Sequence, residues 1–218
     1  MRNNDRKSIY IVVSYNDTFI GKIIRKRAEM KYWNRYAGDK YTHVSLSLEL
    51  QLNNMMSFAR KKVNNPLIAG LIKEDIGLGV FARCGDQSRI AVMEIPVSVE
   101  QYNFIQSLMG EYWNRRDMLK YNFLGLFSML LYGKGIKIKD RYICSQWVAE
   151  ILEESGVYHF EGKRPCDVRP FDYYDIFKKN IIYEGLTVEY SKLRNEKSCD
   201  RGEDICRDQR HTRFFINN

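Results

Sequence analysis

A chain of 218 residues, 44% of them apolar and 28% charged, is long enough to bury a core, and these proportions exclude a disordered or fibrous protein. Five cysteines, an odd number, speak against a disulfide framework and leave reduced thiols. The net charge of +8 suits nucleic acid, anionic lipid or an acidic partner, yet such an excess is more often a solubility feature.

In chain order, Ile9 to Ser14 predicts a buried first strand, and Asn16-Asp17-Thr18 a capping turn before a helix over Phe19 to Trp33. That helix puts Ile20, Ile23 and Ile24 on one side and Lys22, Arg25, Lys26 and Lys31 largely on the other. The charges read first as a solvated face and second as weak contact with an anionic membrane surface. Nucleic acid is disfavoured, because the aromatic-basic interleaving of RNA-binding chains is missing. Ile9 to Val13 is too short for a signal-peptide core, and Phe123 to Tyr132, the longest apolar run, falls short of the roughly 20 residues that span a bilayer, so a soluble, cytoplasmic protein is expected.

Tyr41-Thr42-His43-Val44-Ser45-Leu46 alternates as a half-buried strand does, and Met55 to Arg60 predicts its hairpin partner, with Ser57 able to face the imidazole. Asn64-Asn65-Pro66 opens what reads as an irregular segment, punctuated by Gly70, Gly77 and Gly79, that could overhang a site. Strands are expected at Val80 to Ala82 and at Ile90 to Ile95, the second ended by Pro96. Ser98 with Gln101 makes a capping box for a helix to about Trp113. Phe123 to Leu131 predicts an apolar core helix stopped by Gly133-Lys134-Gly135. A short helix follows Pro170, then strands at Ile181 to Tyr183 and Thr187 to Tyr190, and a charged, mobile tail over 191–218 beyond a domain of 1–190.

The chemistry concentrates at Tyr142-Ile143-Cys144-Ser145-Gln146-Trp147-Val148-Ala149-Glu150. Apolar residues at Trp147, Val148, Ile151 and Leu152 recur at helical spacing, and Gly156 supplies a stop, so Cys144 sits at a helix N-terminus. Unpaired N–H groups and the positive end of the helix dipole stabilise a thiolate there. His43 is the leading proton acceptor, and strand histidine with helix-cap cysteine is the layout of a Cys-His nucleophile. A buried structural thiol is the plainer alternative for Cys144, as a satisfied core histidine is for His43. His159 with Cys166 lacks cap or strand signals. Cys199, Cys206 and His211 lack a Cys-x-x-Cys knuckle, so no metal site is read.

Strand, basic helix, Tyr-Thr-His-Val-Ser-Leu-Ser-Leu and, after a largely helical middle, Tyr-Ile-Cys-Ser-Gln-Trp-Val-Ala-Glu together resemble the circularly permuted NlpC/P60 papain-like hydrolases, the YiiX-like or YycO-like group. The resemblance covers roughly Ile9 to Tyr190. It implies an α+β, permuted papain-like fold, a small antiparallel sheet packed against helices. It also implies Cys144 as nucleophile and His43 as general base. The family's third position is a polar residue on the next strand, where this chain offers Ser57, with Glu49 and Asn54 as substitutes in another register. Tyr142 matches an aromatic that would line the pocket. The expected activity is a cysteine hydrolase or acyltransferase on an amide, isopeptide or ester of a peptide or lipid, without metal or organic cofactor. The alternative is an inactive papain-like module that binds a peptide, lipid or protein in the same groove, favoured by the weakness of serine as an orienting group.

Overall fold

The computed structural model describes residues 6–15, 41–62, 65–78, 81 and 88–200. Their architecture is α+β: a six-stranded antiparallel sheet in the order β4-β3-β2-β1-β5-β8, flanked by helices. The strands are β1 (Arg6–Tyr15), β2 (His43–Ser47), β3 (Met55–Lys62), β4 (Asn65–Glu74), β5 (Arg89–Ser98) and β8 (Ile181–Leu186). Two further strands, β6 (Lys120–Tyr121) and β7 (Arg141–Tyr142), form a separate parallel pair. The helices are α1 (Val99–Asn114), α2 (Phe123–Tyr132), α3 (Cys144–Glu154), α4 (Pro170–Ile176) and α5 (Thr187–Asp200).

The alternation of β1 decides how the sheet is covered. Ile9, Ile11 and Val13 join one apolar cluster with Val44, Leu46, Phe58, Trp147, Ile151 and Leu152, while Tyr10 and Val12 join another with Leu52, Met55, Ile76, Ile90 and Val92. Side chains of this size contribute about 1.5–3 kcal/mol each when fully buried, so both faces help to hold the sheet together. β2 is accordingly buried on both sides and not half-buried: Ser45 and Ser47 are as inaccessible as Val44 and Leu46. α3 packs across β2 and β3, and α4 packs on β1.

The β2–β3 hairpin forms as expected, with Leu46 opposite Met56, and the capping box of Ser98 and Gln101 starts α1. Four further expectations fail. The segment from Asn65 is the regular strand β4, paired with β3 from Met55–Glu74 to Lys62–Asn65. Pro96 does not end β5, which runs on to Ser98. Its partner β8 stops at Met93, and beyond that point the missing N–H of a proline faces no neighbour on that side. β8 continues to Leu186, and Thr187 to Asp200 is helical where a strand and then a tail were expected. The Thr187 hydroxyl donates to Ser88 C=O and the Tyr190 hydroxyl to Leu50 C=O, tying the start of α5 to the body. Finally, α2 is not a core helix, since Leu124, Phe127, Leu131 and Tyr132 are exposed. The expected helix over Phe19 to Trp33, almost all of the Val80 to Ala82 strand and residues 201–218 lie outside the described residues. No described helix is long and apolar enough to cross a membrane.

β6 and β7 lie side by side, Tyr121 against Tyr142, and each runs into a helix, α2 from one and α3 from the other. Asn122 joins them: its N–H donates to Tyr142 C=O, its Oδ1 caps α2 by accepting from Gly125 N–H, and its Nδ2 donates to Ile136 C=O. Gly133 closes α2 in the left-handed conformation, φ 71°, which glycine adopts without strain.

Candidate active site

α3 starts at Cys144 because Ile143 is still extended, at φ −96° and ψ 163°. Isoleucine carries no acceptor, so no cap side chain takes the first-turn N–H groups. Cys144 is a free, buried thiol. The turn that carries it is pinned from below, where the buried Tyr173 of α4 donates its hydroxyl to Ser145 C=O at 2.6 Å.

His43 is the first residue of β2, opposite Ser14 of β1. Its Nε2 lies 3.1 and 3.2 Å from the two carboxylate oxygens of Glu74, and the Cys144 thiol stands near enough to the same ring to raise its pKa. With Nε2 held by the carboxylate, Nδ1 is the nitrogen left for the sulfur. Glu74 is itself fixed: Ser45 Oγ donates to its Oε2 at 2.6 Å and Ser57 Oγ at 2.7 Å. His43 and Glu74 side chains are only 15% and 9% exposed, so solvent screens the pair little.

Burial by itself favours a neutral imidazole, but the charge of Glu74, with the thiol and carboxylate hydrogen bonds, outweighs it and lifts His43 well above its ordinary 6.5. Burial would likewise raise Glu74. The charge and hydrogen bond of His43, with the bonds from Ser45 and Ser57, instead hold it below the usual carboxylate range. The arrangement is an imidazole set between a carboxylate and a thiol, with the carboxylate favouring its protonated form.

Tyr121, at the end of β6, stands close enough to Cys144 to feel its charge. Burial, then that charge, push its hydroxyl up, so it remains a donor. An open cleft of about 370 Å³ between the β2–β3 hairpin and α1, lined by Met56, Lys73, Tyr102, Met109 and Trp113 among others, has none of His43, Glu74 and Cys144 in its wall.

Of the residues expected from sequence, the fold brings Cys144 and His43 together and puts Ser57 one bond further out, on Glu74 instead of on the ring. Glu49 and Asn54, the substitutes for Ser57, hydrogen-bond each other at the exposed hairpin end. Tyr142, expected to line the pocket, packs among Phe58, Tyr112 and Trp147 in an aromatic cluster, with ring centroids 5.1 Å from Phe58 and 5.6 Å from Tyr112. His159 pairs with Glu153, and the Cys166 thiol points to Gly135 C=O, so those two form no site.

Sequence reading missed Glu74 because it sought the orienting group on the strand after His43, whereas the acid comes from the next one. The signal was the apolar run Leu67-Ile68-Ala69-Gly70-Leu71-Ile72 ahead of the acid, obscured by Asn-Asn-Pro and Gly70. Compared with protein-family models, with curated proteins and with solved structures, the chain matches none.

Proposed function

We propose that the chain is a cysteine hydrolase or acyltransferase in which Cys144 is the nucleophile, His43 the general acid and base, and Glu74 the residue that orients His43. The observation that carries this reading is the convergence of a helix-cap thiol and a buried carboxylate on one imidazole. A structural histidine needs neither partner to be titratable, and a structural thiol needs no base.

His43 accepts the thiol proton, Glu74 stabilises the resulting imidazolium, and the thiolate attacks an amide or ester carbonyl. As the C–S bond forms, the carbonyl electron pair moves to oxygen. There the Cys144 N–H, left uncapped at the start of α3, is the donor at hand. Collapse expels the amine or alcohol, which takes its proton from His43. Water or another acceptor, deprotonated by His43, then attacks the thioester and releases the acyl group, restoring the thiol.

A permuted papain-like fold of the NlpC/P60 kind fits the same features: an antiparallel sheet carries the histidine early in the chain, and a helix packed on it carries the cysteine late. The inactive-module alternative rested on serine as a weak orienting group, a ground that Glu74 removes. The test is a screen of acyl and peptidyl electrophiles as activity-based probes, with the modified residue located by mass spectrometry. Selective modification of Cys144, lost in His43→Ala, is the expected result. Reactivity of Cys144 no greater than that of Cys199, or unchanged in His43→Ala, overturns the proposal.

A further inference from the structure

α2 carries no charged residue in ten, and a helix apolar all round normally belongs in a core. Here it is on the surface. Leu124, Phe127, Leu131 and Tyr132 of the helix, with Met118 before it and Ile136 after it, are 46–78% exposed. The bond from Asn122 Nδ2 to Ile136 C=O folds the following loop back over the first turn, so Ile136 lies beside that turn. Contiguous apolar surface of this kind marks an interaction site.

The surrounding charge says what kind. From Arg115 to Arg141 the chain has seven Lys and Arg against two acids; Arg115 pairs with Asp140 at 3.0 Å, Arg116 with Asp117 at 4.0 Å, and Lys137 with Glu150 of α3 at 3.1 Å. Lys120 precedes the helix and Lys134 follows it directly, with Lys139 and Arg141 exposed beyond. At about 1.5 Å per residue the helix is too short to span a bilayer, but it can lie in the interface with a tyrosine at headgroup level. A second copy fits poorly, because a two-fold contact would press like charges together. We infer that the face formed by α2 and its flanks docks on an anionic lipid bilayer. The inference stands apart from the thiol chemistry.

The test is co-sedimentation of the full chain with vesicles of phosphatidylcholine alone or with about 30% phosphatidylserine, where basic side chains gain from the surface potential. Binding to the anionic vesicles is expected, roughly tenfold weaker without phosphatidylserine and roughly tenfold weaker in Leu124→Ser/Phe127→Ser, since apolar burial and charge contribute together. An unchanged iodoacetamide rate at Cys144 shows that variant to be folded. Should it not fold, Lys134→Glu/Lys139→Glu, at exposed positions, is expected to lose the preference for anionic vesicles. The inference is overturned by failure of the full chain to bind anionic vesicles, or by binding that either folded variant leaves intact. It is also overturned if binding is lost only on neutralising Lys22, Arg25 and Lys26, or if the apolar residues instead support a concentration-dependent dimer that the Leu124/Phe127 variant dissolves.

Discussion

α2 and α3 begin alike and end up with opposite surroundings. Each is launched by a tyrosine at the end of one of two paired short strands, Tyr121 and Tyr142, and their first turns lie near each other. Asn122 closes the start of α2 by taking the Gly125 N–H. Ile143 leaves the start of α3 without a side-chain cap, and there the cysteine sits. The bodies differ in the reverse sense, since α3 is buried from Cys144 to Leu152 while α2 shows an apolar face to solvent. A satisfied helix end on an exposed body is arranged for contact through its face; an open helix end on a buried body is arranged for chemistry at its tip. Rigidity sets the second apart, because a nucleophile must hold its place against His43 while a docking face need only be presented.

The sharpest way to break the contrast is at the open end. Cys144→Ala is expected to abolish covalent labelling by acyl electrophiles while leaving the melting temperature almost unchanged, as a buried cysteine packs like a small apolar side chain. Intact-mass spectrometry after probe treatment checks it, and an adduct retained elsewhere with the same rate would remove the thiol from the mechanism. Next comes Glu74→Gln. Neutralising the carboxylate takes away the charge that favours protonated His43 and so weakens it as a base, and the alkylation rate of Cys144 near neutral pH should fall on the order of 10²-fold. The pair also shapes stability. Glu74, held low, contributes above its unfolded value near 4.5 and loses that contribution as pH falls through its folded value; His43, held high, contributes below about 6.5 and loses it as pH rises through its own. Thermal stability should therefore be highest between those values, and melting temperatures across pH should flatten in Glu74→Gln.

What could be read from sequence follows the range of the interactions involved. The His43 strand, the Cys144 helix, the hairpin and the α1 capping box are written in spacings of a few residues, and each element formed where expected, although the strand is buried on both faces instead of one. Glu74 depends on three strands lying in register, a relation that no local pattern states. Ser57 shows the consequence: the residue was on the right strand and pointing the right way, yet the acid beyond it took the place on the ring. α2 misled for a different reason. Hydropathy reports what a side chain would gain by burial and not whether the chain provides something to bury it against. The helical stretch from Ser191 to Asp200 was hidden because its sequence is charged and lacks apolar periodicity, whereas the helix begins earlier, at Thr187, whose hydroxyl donates to Ser88 C=O.

Smaller changes sharpen the comparison. Asn122→Ala removes the α2 cap and strands Ile136 C=O, so a loss of about 1–3 kcal/mol is expected by chemical denaturation, with release of the loop between α2 and β7. The backbone N–H of residue 122 still donates to Tyr142 C=O in this variant, so Cys144 labelling should slow only several-fold if the thiol is positioned mainly by α3. Tyr173→Phe tests that positioning from the other side. The hydroxyl contributes one hydrogen bond to Ser145 C=O, and its removal should cost about 1 kcal/mol, since the helix can still use that carbonyl internally. If the bond does no more than stabilise the turn, the alkylation rate and its pH profile will match the unaltered chain. If it fixes the angle at which Cys144 meets His43, the rate falls several-fold at constant pH profile, because neither Glu74 nor His43 has changed its charge. Only the second outcome extends the arrangement for chemistry from the tip of α3 to α4.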